Sequence, residues 1–147
     1  MQVKAEIHKR YNETEIHVCS SKADEQVVRL VTELSSYVNP GLIAQKSNGD
    51  RVVLNEKDVF RFFAEGQKVF VQSDKETYTI SKKLYELEEE LNPSLFFRSS
   101  KSEIINLKRI QKLDMSLSGT IRVIMKDGSE TYTSRRNVVK LKKILGI

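Results

Sequence analysis

From residue 42 to residue 133, short β-branched and aromatic runs are cut by turn signals every few residues, and that spacing restricts the fold most severely. Leu42 to Gln45 and Arg51 to Leu54 flank Ser47-Asn48-Gly49-Asp50, whose Asn-Gly pair suits a hairpin turn. Val59 to Phe63, Val69 to Gln72 and Thr77 to Ile80 are split by Glu65-Gly66 and Asp74-Lys75. Phe96-Phe97, Ile110 to Leu113, Thr120 to Met125 and Glu130 to Thr133 are further strand candidates, with turns at Ser118-Gly119 and Asp127-Gly128. Ser81 is expected to cap a short helix with Leu84, Leu87 and Leu91 on one face, stopped by Asn92-Pro93. Ser134 begins a last helix with Val138, Leu141 and Leu145 inward. The expected fold class is mainly β (α+β).

Residues 1–39 read differently. Val3, Ala5 and Ile7 alternate with polar residues, as do Ile16 and Val18 beyond a turn at Tyr11-Asn12-Glu13, which predicts a hairpin. Ser21-Lys22-Ala23-Asp24 resembles a capping box ahead of Val27, Leu30, Val31, Leu34 and Val38 at helical spacing. Asn39-Pro40-Gly41 closes this β-β-α unit, because proline cannot continue a helix. Two domains are expected: 1–39, and 40–147.

Charge is distributed unevenly between them. Residues 1–39 hold 5 Lys+Arg against 6 Asp+Glu, residues 40–97 hold 8 against 10, and residues 98–147 hold 12 against 4. A cluster of positive charge raises encounter with polyanions, so a phosphate-bearing partner is expected. No apolar run approaches the roughly 18–20 residues of a membrane helix, and Met1 to Glu6 lacks the apolar core of a signal peptide. The single cysteine, Cys19, fits a reducing compartment, with the cytoplasm the expected location.

Enzyme signatures are missing. There is no GxGxxG, no GxxxxGK[ST], no HExxH and no paired-cysteine zinc spacing, so no cofactor, metal or catalytic residue is expected. His17 and Cys19 share a face of the expected hairpin with His8 nearby, but solvent-facing residues explain that set better than a metal. Glu88-Glu89-Glu90 reads as the solvated side of a short helix.

Two segments are unusual for a purely structural protein. Arg98-Ser99-Ser100-Lys101-Ser102 is a polar, basic loop between the apolar anchors Phe96-Phe97 and Ile104-Ile105. Such residues donate well to phosphates and base edges, although a solvated connection has the same composition. Ser134-Arg135-Arg136-Asn137 puts two arginines in the first turn of a helix, where the positive end of the dipole disfavours cations by about 0.3–1 kcal/mol each. An arriving phosphate reverses that penalty, and Asn137 can bridge an adenine edge.

The run Phe96-Phe97-Arg98-Ser99-Ser100-Lys101-Ser102-Glu103-Ile104-Ile105-Asn106-Leu107-Lys108-Arg109-Ile110 resembles the central motif of LytTR DNA-binding domains. Asp58 to Gly66 resembles the family's early strand, and Met125 to Gly128 with Ser134 to Val138 its C-terminal block, so the likeness covers residues 42–147. It implies an elongated stack of small antiparallel sheets with short helices, preceded here by the β-β-α unit. It also implies a bacterial transcription regulator, with duplex DNA read in the major groove through loops, as a homodimer on repeated sites. Carried over by position, the contacts are Gln67 and Lys68, then Arg98 to Ser102 with Lys101 foremost, then Arg135, Arg136 and Asn137. Ser100 stands where many members have histidine. Residues 1–39 are too short for the receiver domain most members carry, so control by a histidine kinase is not implied. They resemble stand-alone regulators, some of which pair with a small membrane-bound inhibitor, and suggest a dimerisation or regulatory role. The alternatives are an RNA-binding β module or a protein-interaction adaptor with a basic face.

Overall fold

A computed structural model describes residues 2, 4–5, 7–10, 15–38, 41–74 and 76–147. Met1–Pro40 and Gly41–Ile147 form two units, each described by itself.

The first unit contains α1 (Glu25–Val38). Its N-cap is Asp24, whose carboxylate accepts from the Val27 N–H at 3.1 Å while its carbonyl accepts from Val28. The expected capping box from Ser21 is therefore corrected: Asp24 does the work alone, at the position where an acid also favours the helix dipole. The turn expected at Tyr11-Asn12-Glu13, Val3, and the Asn39-Pro40 boundary lie outside the described residues. The described residues of 2–20 carry no strand, so the expected hairpin is not formed by them. A lone two-stranded ribbon has too little apolar contact to hold itself in water.

The described residues of the second unit form ten strands and two α-helices. In chain order they are β1 (Leu42–Gln45), β2 (Arg51–Leu54), β3 (Val59–Glu65), β4 (Lys68–Ser73), β5 (Thr77–Ile80), α2 (Leu84–Glu90), β6 (Phe96–Ser100), β7 (Glu103–Asn106), β8 (Ile110–Asp114), β9 (Ile121–Met125), β10 (Glu130–Thr133) and α3 (Arg135–Leu145). Seven strands form one sheet in the order β2-β1-β5-β4-β3-β7-β6, and three form a second, β10-β9-β8. Every pairing is antiparallel. The mainly β expectation holds.

Two apolar clusters follow from the two faces of the large sheet. On one, Phe62, Val69, Val71, Tyr78 and Ile80 meet Leu84, Leu87 and Leu91 of the α2 segment. On the other, Phe60, Phe97 and Ile105 meet Ile121, Val123 and Met125 of β9 and Leu141 of α3. Strict alternation would put Val59 and Phe62 on opposite faces, yet both join the first cluster. The β3–β4 register shifts between Val59 and Arg61, and this bulge turns the strand so that it feeds both clusters. Asn106, 1% exposed, donates to the Val59 carbonyl at 2.8 Å and accepts from the Lys108 N–H, pinning β7 to β3.

One helix start differs from expectation. Lys83, not Ser81, is the N-cap of α2, and it supplies no side-chain cap. Burial of Leu84, Leu87 and Leu91 sets where the helix begins, against the weaker preference of a serine for the cap.

Candidate nucleic-acid interface

Two tight turns and one helix start stand at the same end of the central strands. The first turn joins β3 to β4. Glu65 pairs with Lys68, and Gly66 takes the positive φ (62°) that a two-residue hairpin loop requires. Gln67 and Lys68 are thereby exposed at its tip. The second turn joins β6 to β7. Ser100 pairs with Glu103, which leaves only Lys101 and Ser102 outside the strands. The loop expected over 98–102 is thus mostly strand, because the apolar residues on both sides extend the ladder. The Ala64 N–H donates to the Ser102 carbonyl at 2.9 Å and holds the second turn against β3.

Residues of this segment divide sharply by role. Lys101 and Ser102 are exposed and Ser100 is half-buried, its hydroxyl 3.4 Å from that of Ser102. Ser99 is corrected: it is completely buried, its hydroxyl bonded to the Glu103 carbonyl, and cannot present a group to a ligand. Strand alternation turns it inward. Arg98 is half-buried, and each of its three guanidinium nitrogens has a partner. Its guanidinium donates to the Ser100 carbonyl at 2.7 Å, to the Lys101 carbonyl at 2.5 Å and to Glu88 at 3.0 Å, so it braces the turn from beneath.

The helix start is tied to the same strand. The Ser134 N–H donates to the Ser99 carbonyl at 2.8 Å, and the Asn137 amide to the Arg98 carbonyl at 3.0 Å. Asn137 therefore spends one of its two amide N–H donors on positioning α3. Ser134 sits at the N-cap without a side-chain cap bond, and the first turn contains no acid. Arg135 lies along the Gly119 turn, its Nε in contact distance of that glycine's open side, while Arg136 is exposed. Among the described residues Lys101, Arg135 and Arg136 form no ion pair.

A polar network joins the turns to the small sheet. Arg61 donates to Gln72 at 2.7 Å and to Glu103 at 2.8 Å, and Glu103 also accepts from Thr131. Gln72 reaches Asp127. Burial alone would raise the Asp127 carboxyl, but hydrogen bonds from Ser129 and the charge of Arg61 hold it below its ordinary value. Sequence reasoning missed two exposed residues beside the turns, Lys83 and Tyr85. No local signal marks them: α2 has Glu86 in its first turn, so its start does not break the dipole rule as the start of α3 does. Among the described residues no cluster of His, Cys, Asp and Glu could hold a metal.

The LytTr DNA-binding domain family matches residues 49–146. The chain belongs to that family. It is a DNA-binding regulator domain family, not an enzyme family. An uncharacterized HTH-type transcriptional regulator of Staphylococcus aureus strain NCTC 8325 / PS 47 is 31% identical over 92% of this chain and 93% of its own length. Another, from Staphylococcus aureus strain MSSA476, is 29% identical over 100% of this chain and 99% of its own length. The LytTr DNA-binding domain of a Bacillus cereus protein described as a methyl-accepting/DNA response regulator superposes with a TM-score of 0.69. That likeness covers 72% of this chain and 96% of that one at 23% identity, and so bears on the fold. The helices of this LytTr chain are each separated by strands, so among the described residues no two are joined by a turn as in a helix-turn-helix. Among the described residues no helix is long and apolar enough to cross a membrane.

Proposed function

We propose that this protein is a sequence-specific transcription regulator that meets duplex DNA with the β3–β4 turn, the β6–β7 turn and the start of α3. Lys101 and Arg136 read base edges in the major groove, and Gln67 and Lys68 make the third contact. Ser100, Ser102 and Arg135 support them at the surface, while Arg98 and Asn137 hold the reading groups in place. What carries this reading is the start of α3, where two arginines face the positive end of a helix dipole with no acid beside them. An arriving phosphate or guanine edge relieves that conflict.

The protein acts as a homodimer on repeated sites, with residues 1–39 supplying the contact between copies. In α1, Val28 and Val31 are exposed, and none of the described residues of 2–34 is buried. The same face is where a small membrane-bound inhibitor would grip. Deleting residues 1–39 is expected to leave a monomer that binds one half-site weakly. A truncated protein that sediments as a dimer would place the contact elsewhere.

A gel shift with duplex from the protein's own upstream region, competed by random duplex and by RNA, tests the main reading. If six phosphates are neutralised, the log–log salt slope is about −5, at about −0.9 per phosphate. A salt-independent affinity, or equal competition by RNA, would remove duplex DNA as the ligand.

A further inference from the structure

An open trough runs between the two turns. It is bordered by Gln67 and Lys68 on the β3–β4 side, Lys101 on the β6–β7 side, and Lys83 and Tyr85 at the start of α2. Three separate elements thus bring three ammonium groups to one depression, and no acidic residue lines it. None of the three lysines forms an ion pair among the described residues. The neighbouring Lys82 is drawn away to Glu90, and the trough's guanidinium, Arg98, is already occupied by Glu88 and the turn carbonyls. Tyr85 is 63% exposed, its hydroxyl free to donate. Like charges converging without a counter-charge repel one another, so this arrangement favours whatever anion enters.

We infer that the trough seats the phosphodiester strand running between the two reading turns, and that Lys83 and Tyr85 are phosphate-contacting residues of the interface. The inference rests on the proposed function: if both turns meet base edges, the backbone between those edges has to cross the surface separating them. Lysine on a flexible stem and a phenol suit phosphate oxygens, which fix position without reading sequence. The trough therefore contributes affinity and register, while Lys101 and Arg136 contribute discrimination.

The test is fluorescence anisotropy of the full-length protein with two labelled duplexes, one from its own upstream region and one of scrambled sequence, across a salt series. Lys83→Gln is expected to weaken both duplexes by the same several-fold factor and to reduce the log–log salt slope by about 0.9. Tyr85→Phe is expected to weaken both alike with the slope unchanged. Lys57→Gln removes the same charge beside the start of β3, about 20 Å from the trough by strand length, and is the reference for a general loss of charge. Lys83→Gln no different from Lys57→Gln, while Lys101→Ala still weakens the upstream duplex, would overturn the trough and leave the proposed function standing. If Lys101→Ala and Arg136→Ala are also without effect, both fall together. All of these side chains are exposed, so circular dichroism is expected to match the parent protein throughout.

Discussion

The two ends of the central strands treat their cations in opposite ways. Where β3 begins and β4 and β7 end, Arg109 donates to the Lys57 carbonyl at 2.6 Å, grips Asp74 with two bonds at 2.9 and 3.0 Å, and lies over the Phe60 ring. At the other end, Lys68, Lys101, Arg135 and Arg136 have no acidic partner among the described residues. Both ends are rich in basic residues, yet the arginine of the first is tied to an acid and a carbonyl while the arginines at the start of α3 have no acidic partner among the described residues. A bidentate, three-quarters buried guanidinium is part of the scaffold, and an uncompensated exposed one is a surface for a polyanion.

Breaking the scaffold between the two ends is expected to have the largest effect. Glu103→Ala leaves Arg61 without its buried partner and should cost about 3–5 kcal/mol in urea unfolding. Glu103→Gln, which keeps one oxygen to accept from Arg61 and turns the other position into an amide N–H that the Thr131 hydroxyl can accept, should recover much of that loss. Equal losses in the two variants would assign the whole effect to the carboxylate charge facing Arg61, with nothing from side-chain volume or the neutral hydrogen bonds.

Arg136→Ala should separate binding from folding. The expected loss is about 1–3 kcal/mol of discrimination between the upstream duplex and a scrambled one, with an unchanged unfolding midpoint. A lowered midpoint would move Arg136 to the scaffold. The converse is expected of Arg109→Ala, which should lose about 1.5–3 kcal/mol of stability and leave the salt slope of DNA binding as it was. A reduced slope would erase the difference between the two ends.

The smallest effect is one of pH. Hydrogen bonds from the Ser116 side chain and backbone, followed by Arg122, hold Asp114 at about 2 against an ordinary 3.8. Its folded value is depressed, so its contribution to stability is present above about pH 4 and is lost as the pH falls toward 2. Asp114→Asn should flatten the fall in urea midpoint over that window. A parallel fall in both proteins would assign acid sensitivity to other carboxylates.

Much of the fold was legible because its signals are local. The Asn48-Gly49 and Glu65-Gly66 turns, the alternation in Val69 to Gln72, and the Leu84, Leu87 and Leu91 stripe all depend on residues a few positions apart. The resemblance also pointed to the two segments proposed as the interface. Within those segments the roles were not legible. Ser99 and Ser100 are neighbours of one chemical type, and strand alternation buries one and half-exposes the other. Arg98 and Arg136 look alike in a charge count, although one is consumed by Glu88 and two carbonyls. Lys83 was passed over because nothing near it in sequence shows that Lys68 and Lys101 border the same trough.

The sequence by itself determined that this chain is mainly β, that its excess positive charge lies in residues 98–147, and that the start of the last helix breaks the local rule for its dipole. These follow from propensity, periodicity and charge, which act between near neighbours in the chain. The tertiary structure decided which cations are free, which way each strand residue faces, and which turns lie side by side. Those outcomes depend on pairings such as Arg61 with Glu103, 42 residues apart, and Arg109 with Asp74, 35 residues apart, which exist only after the sheets close. Partial burial in the first pair and bidentate geometry in the second then tie up those charges, and no local pattern records that.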